Sequence, residues 1–414
     1  MTNISKKQDL SVELLRIIAC LMVIMIHVRP FPFSGDNLRD AVILIYVLNG
    51  PAVASFLLIS GFFISKKQSL IHVWLRFLKG IILPAAVFVF VLGMIRTWID
   101  HPEISILTSI SLANPLKALT DMAQGFLAFD TVRFGIYADH LWYIFSHAEI
   151  MLWMTVILPL VRHDEQNMLK LLLAFAAIHF TLQNLSALVI LPFSLYTFPA
   201  IGKPSMYAIA GYLFYSWVKR IREPDNRSAI QTSNHSDINS VSSMGTDAGL
   251  NIHVHNPAVY TFIFFLVFLT SSVFLFMLQK HIYVAGLMSG RSPSDLNTDY
   301  YFTSWNGMIC ALQTISLSGM VLLLPTQKWN SMIRTAIKSF GGCTFHIYLI
   351  HYIFTNHFRA IGLEGIVRNL FGESSQGLIL YTLMYSIFVF MFSASLIFIY
   401  RKLWKTILCL FQKK

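Results

Sequence analysis

The stretch Leu10–Val28, LSVELLRIIACLMVIMIHV, constrains the chain more than any other. It is long and apolar enough to cross a bilayer, yet it carries ionisable groups. Apolar residues run almost unbroken from Leu14 to Val28, with Arg16 near the start and His27 near the end. A charge in hydrocarbon is costly, so each of these groups needs a reason to be there. Eleven residues separate them. At 100° per residue that is three turns and roughly 20°, so both side chains project from one face, about 16 Å apart along the axis. That face must look into a protein interior or a wet cavity. Taken singly, an Arg at a helix end can snorkel to the headgroups and a His can sit at the interface.

The roughly 20 residues needed to cross about 30 Å of hydrocarbon are met or approached in ten apolar segments, at 11–29, 41–64, 79–97, 140–161, 168–190, 204–218, 257–278, 302–324, 336–356 and 378–400. With 56% of the 414 residues apolar and only 12% charged, a soluble globular fold is excluded. The expectation is an all-α, polytopic membrane protein with about ten transmembrane helices in one bundle, residues 1–414 forming a single membrane domain. No internal repeat is visible, and no stretch outside the membrane is long enough for a core of its own. The first apolar run lacks a small-residue cleavage site and reads as a retained span.

A net charge of +11 would suggest nucleic acid in a soluble chain, but in a membrane chain the cations are first sorted by side. With the N-terminus in the cytoplasm, 21 of the 31 Lys and Arg residues fall on the inner side and 10 on the outer. That asymmetry predicts cytoplasmic N- and C-termini, with the lipid bilayer and not nucleic acid as the partner of these charges. Residues 98–139 then form an outer loop in which Asp100, Glu103, Asp121, Asp130 and Asp139 are set among apolar stretches. It is a candidate lid or acceptor platform built of amphipathic helices. Residues 223–256 contain no aromatic residue, abound in Ser, Asn and Asp, and read as a disordered cytoplasmic loop whose His253 and His255 are too few to hold a metal. Cys20, Cys310, Cys343 and Cys409 are far apart and mostly within apolar runs, so neither a disulfide framework nor a metal site is expected from them.

An Arg, ten residues and then a His in the first span is the signature of the acyltransferase-3 family of integral membrane acyl-transfer enzymes, and this stretch resembles it. Later stretches extend the resemblance over most of the chain. The second span closes VASFLLISGFFIS, similar to the family's Phe-rich run ending in Ser-Gly-Phe, here Ser60, Gly61 and Phe62. Gly61 would also let two helices approach closely. LRFLKGIILP puts Arg76 and Lys79 one turn apart before Pro84, where the family usually has two arginines. Lys79 departs from that pattern, and an ammonium lacks the planar fork of a guanidinium. HLWYIFSHAEIMLWMTVILPLV resembles the family's His-Leu-Trp-Phe-Leu motif, with Tyr143 and Ile144 in the last two places. SFGGCTFHIYLIHYIF is similar to the late motif of small residues followed by Tyr-Leu-x-His and puts His351 in the matching position. His346, five residues earlier, faces elsewhere and reads as a core histidine. TFPAIGKPSMYAIAGYLFY resembles the family's sixth span, with Gly211 as a packing glycine.

The resemblance implies transfer of an acyl group, most commonly acetyl, from cytoplasmic acyl-CoA to a hydroxyl of a cell-surface or periplasmic glycan, by an O-acetyltransferase of a bacterial inner membrane. A hydroxyl acceptor must lose a proton, and a neutral imidazole near pH 7 suits that task. His27 is therefore the expected general base, with an acyl-histidine intermediate as the less favoured variant. Arg16 would orient the donor or stabilise developing negative charge. Arg76 and Lys79 would either bind the phosphates of acetyl-CoA or serve only as orientation anchors. His140, Trp142, Glu149 and His351 are candidates to line the acceptor cavity, although Trp142 also suits a membrane-interface belt. The competing reading is a polytopic exporter of a glycan or lipid-linked substrate without acyl transfer; such proteins often carry repeats between their halves. The acceptor, the acyl group and the oligomeric state stay open at this level.

Overall fold

A computed structural model describes residues 9–28, 36–64, 69–101, 103–134, 136–188, 202–222, 256–290, 307–372 and 374–412. Among them there is no strand. In chain order the helices are α1 (Leu10–Val28), α2 (Asp36–Asn49), α3 (Pro51–Phe62), α4 (Leu70–Phe77), α5 (Leu83–Asp100), α6 (Ile106–Leu112), α7 (Pro115–Ala128) and α8 (Trp142–His163). They continue with α9 (Glu165–Leu188), α10 (Lys203–Arg222), α11 (Pro257–Met288), α12 (Met308–Leu322), α13 (Ser331–Gly341), α14 (Thr344–Ala360), α15 (Leu363–Phe371) and α16 (Ser375–Gln412).

Local chemistry explains where several of these begin and bend. Asp9 precedes α1, and its carboxylate accepts from the Ser11 amide at 3.1 Å and the Ser11 hydroxyl at 2.6 Å, which satisfies a donor that a helix start would leave bare. Burial pushes the Asp9 carboxyl up, but Ser11, Arg222 and Tyr215 together hold it below its ordinary value. Gly50 and Pro51 separate α2 from α3 within one apolar stretch, Pro taking the first turn of α3 where its missing N–H costs nothing. Between α4 and α5 the chain makes a wide π turn, Leu78–Ile82, in which the Leu83 amide bonds back to the Leu78 carbonyl. Pro84 lies four residues beyond Gly80 and can neither donate to its carbonyl nor fit its ring into a regular turn. Arg76 and Lys79 therefore sit within a continuous helical stretch, Leu70–Asp100, and not just ahead of a span at 79–97.

Among the described residues six stretches are long and apolar enough to cross a membrane: Leu10–Val28, Leu38–Phe62, Leu70–Asp100, Pro257–Met288, Met308–Lys328 and Ser375–Thr406. The expected ten are not reached among the described residues. The segments expected at 140–161, 168–190 and 204–218 are helical, as α8, α9 and α10, but are not among the six. α10 carries Lys203, Lys219, Arg220 and Arg222 within its 20 residues. The segment expected at 336–356 is two helices, because Gly341 and Gly342 stop α13 where helix propensity is weakest. What remains, α14, has 17 residues, about 26 Å at 1.5 Å per residue and at the lower end of the lengths that cross a bilayer. The loop expected at 223–256 lies outside the described residues except for Asn256, whose side chain caps α11 by accepting from the Ala258 amide at 3.0 Å.

Leu38–Phe62 is 67% buried, against 17% for both Leu70–Asp100 and Pro257–Met288. The first is thus a central helix, whereas the other two turn residues such as Leu83 and Val87, and Phe262 and Phe274, outward, the pattern of a lipid-facing surface. Small and polar residues draw the central helices together. A Cβ on Gly61 would stand 1.9 Å from the Ala208 carbonyl oxygen, and one on Gly211 would stand 1.9 Å from that of Leu58, so α3 and α10 cross backbone against backbone. Gln313 of α12 donates to the Ser272 hydroxyl of α11 at 2.8 Å, the kind of polar bond that joins helices in lipid.

The loop after α5 is folded. The Ser109 hydroxyl accepts from the Trp98 amide at 3.0 Å, fixing α6 on α5, and Ala118 of α7 packs where a Cβ on Gly93 would stand 2.8 Å away. Two 3-10 turns, Thr131–Phe134 and Ile136–Leu141, then carry the chain back into the bundle.

Candidate active site

Three elements distant in sequence converge at one point. His27 lies in the last turn of α1, His140 in the 3-10 turn that ends the long loop, and His351 midway along α14. The ring centroids of His27 and His140 are 6.2 Å apart, those of His27 and His351 5.4 Å, and those of His140 and His351 5.1 Å. Tyr352 closes the group, 4.8 Å from His27 and 5.2 Å from His140.

One backbone carbonyl orients two of the rings. His351 donates from Nδ1 to the Tyr348 carbonyl at 2.7 Å, and His140 donates from Nε2 to the same oxygen at 3.0 Å. The Tyr348 hydroxyl in turn donates to the His140 carbonyl, so Tyr348 and His140 hold each other. His140 Nδ1 and His351 Nε2, both buried, have no hydrogen-bond partner among the described residues. In a neutral ring each of these is an acceptor, available to a polar group that enters. The three rings do not form a ligand set: among the described residues no three His, Cys, Asp or Glu side chains are arranged to hold a metal ion.

Two cavities meet beside this cluster. A chamber of about 30 Å³ is lined by His27, His140 and Trp142 together with Val23, Val53, Phe56, Tyr143 and Tyr348. A larger cavity of about 550 Å³ lies between α1, α3, α4, α8 and α14, and Arg16, Arg76, His147 and His346 are its basic lining residues. Phe56, Tyr143 and Tyr348 line both. Arg16 is anchored by Glu13, whose carboxylate oxygens lie 3.1 and 3.3 Å from Nη1, and its guanidinium sits over the Phe63 ring at 4.8 Å. Pairing within one helix removes much of the cost of a bare cation at this depth. Glu13 fits because it packs on a glycine: a Cβ on Gly341 would stand 2.4 Å from Oε2.

The residues singled out from the sequence divide by location. His27, His140 and Trp142 share the small chamber, with His351 behind it; Arg16 and Arg76 line the large cavity. Lys79 is exposed and lines neither. Glu149, two turns beyond Trp142, lines neither cavity; it faces the start of α10, with Oε1 3.4 Å from the Ser205 hydroxyl. A carboxylate there meets the positive end of the α10 dipole, which accounts for it structurally. His346, expected in the core, instead lines the large cavity, because its offset of five positions from His351 rotates it about 140° around the helix. Sequence reading passed over Glu13, Tyr348, Tyr352 and His147, whose Nδ1 is 3.2 Å from the Ser60 hydroxyl. Glu13 and Arg16 at i and i+3 did signal a pair. Nothing local signals that the Tyr348 carbonyl would serve two histidines.

A protein-family model described as an acyltransferase domain matches residues 9–400. No curated protein matches the chain, and no solved structure does.

Proposed function

The chain belongs to this acyltransferase family, and from that premise we propose that it moves an acyl group, acetyl first, from cytoplasmic acyl-CoA to a hydroxyl of a cell-surface or periplasmic glycan. The observation that carries the reading is the meeting of two unlike cavities at Phe56, Tyr143 and Tyr348, one bearing Arg16 and Arg76 and the other bearing His27. A polyanionic donor suits the first, and the small uncharged groups that react suit the second. On this reading the protein lies in a bacterial inner membrane with both termini in the cytoplasm, as the excess of Lys and Arg on that side favours.

The chemistry follows from the positions. The acceptor hydroxyl approaches His27 and gives it its proton as its oxygen attacks the thioester carbonyl. The carbon–sulfur bond breaks, the new carbon–oxygen ester remains on the glycan, and the departing coenzyme A thiolate recovers the proton from His27. His140 and His351, steadied by the Tyr348 carbonyl, orient the acceptor through their remaining nitrogens. Arg16, steadied by Glu13, stabilises negative charge on the donor side.

Membranes containing the protein, supplied with acetyl-CoA labelled in the acetyl group, are expected to pass the label to glycan, with the matching gain in glycan mass. Glycan movement across the membrane without label would replace this reading by the exporter. Within it, the donor cations separate. Arg76→Gln should raise the KM for acetyl-CoA about 10-fold with kcat largely kept, because a phosphate contact far from the thioester acts as uniform binding. Lys79→Gln should raise it less, since Lys79 lines neither cavity. Equal effects, or an unchanged KM in Arg76→Gln measured per inserted protein, would retire Arg76 as a donor contact.

A further inference from the structure

Phe56, Tyr143 and Tyr348 line both cavities and form a waist between them. Phe56 and Tyr143 have ring centroids 6.0 Å apart, and Tyr143 and Tyr348 5.7 Å apart. Tyr348 is tied to His140 in both directions. Tyr143 also packs against His147, with ring centroids 6.0 Å apart. Phe56 is packed between two regions of the core. Beyond this waist the chamber at His27 measures about 30 Å³. A water needs about 10–15 Å³ counted this way, so the chamber has room for roughly two to three non-hydrogen atoms. Valines form part of its remaining wall, Val53 one turn before Phe56 on α3 and Val23 one turn before His27 on α1.

We propose that Phe56, Tyr143 and Tyr348, with the small chamber behind them, set the length of the acyl group that can reach His27 and restrict the donor to two carbons. The inference rests on the acyl-transfer reading above and adds to it the determinant of donor choice. The large cavity, about 550 Å³ and lined with many apolar side chains, holds the bulk of the donor without regard to its acyl group. Selection then falls at the waist, where an added methylene must displace a ring or a valine held by its neighbours in a close-packed interior. A succinyl group fails twice, by length and by bringing a carboxylate into a chamber lined chiefly by apolar and aromatic side chains.

The test compares kcat/KM for acetyl-, propionyl-, butyryl- and succinyl-CoA in membranes normalised for inserted protein. The unmodified protein should lose roughly tenfold or more for each added methylene. Phe56→Ala, which opens the waist, should raise the butyryl-to-acetyl ratio by about tenfold or more. Val53→Ala, which enlarges the chamber from its side wall, should move the ratio in the same direction and carries the test if Phe56→Ala does not insert. Equal use of acetyl and butyryl donors by the unmodified protein would overturn the waist and leave acyl transfer standing. So would inserted variants that keep the original chain-length profile or use no donor at all. Failure of the unmodified protein to use any thioester would overturn the function and the waist together.

Discussion

Alanine in place of His27 should abolish acyl transfer, with kcat falling at least about 10²–10⁴-fold, the range that a positioned general base contributes. The membrane helix should survive the change. His27 sits in the last turn of α1 among apolar neighbours, and an alanine there is easier to place in lipid than an imidazole. Its partners should stay in place as well, since His140 and His351 take their orientation from the Tyr348 carbonyl and not from His27. The loss would therefore report chemistry and not collapse of the site. The measurement is turnover per inserted protein with saturating donor and acceptor. An inserted His27→Ala protein within a few-fold of the original rate would remove His27 as the base and turn attention to His351, whose Nε2 is the nearest buried acceptor without a partner.

The second large effect is expected in stability. Gly211→Val puts a Cβ where the Leu58 carbonyl oxygen is only 1.9 Å away. The obstacle is backbone of another helix, so no rotamer change relieves it. α3 and α10 would have to part along their contact, with a cost above the roughly 1–3 kcal/mol of ordinary side-chain overpacking. Because Phe56 and Ser60 ride on α3, the same movement would open the waist and the donor cavity. We expect a sharp loss of inserted protein and a markedly lower melting temperature in detergent. Gly365→Ala is the contrast: no atom lies within 4 Å of its added Cβ, and alanine in a helix gains about 0.5–1 kcal/mol over glycine. Near-original melting of Gly211→Val, or a comparable loss in Gly365→Ala, would show that close approach at Gly211 does not hold the bundle together.

The outcome of reading the chain differs from one feature to the next for identifiable reasons. Gly61 and Gly211 each stood out as packing glycines, yet that they belong to one crossing, each meeting the other helix's carbonyl, could not be read locally. Of the ten expected spans, six are reached among the described residues; Gly341 and Gly342 divide the segment expected at 336–356, a break that apolar content alone does not reveal. That break has a use invisible in sequence, since Gly341 makes the space in which Glu13 holds Arg16. His140 was noticed as part of a motif. Its arrival beside His27 depends on the folded loop of α6, α7 and two 3-10 turns that returns the chain to the bundle.

What the sequence determined by itself is the membrane class, the helical content, and the presentation of Arg16 and His27 on one face of α1, because hydropathy and a 3.6-residue period act within a single segment. The tertiary structure alone decided which residues meet that face. Rotation of each helix about its own axis is visible in a periodic pattern, but the distance and registry between two helices are set by close packing of small residues and by polar atoms seeking partners across the interface. Hence the Tyr348 carbonyl that orients two histidines, the glycine that admits Glu13, and the three aromatic rings dividing a large cavity from a small one emerge only when the helices are assembled.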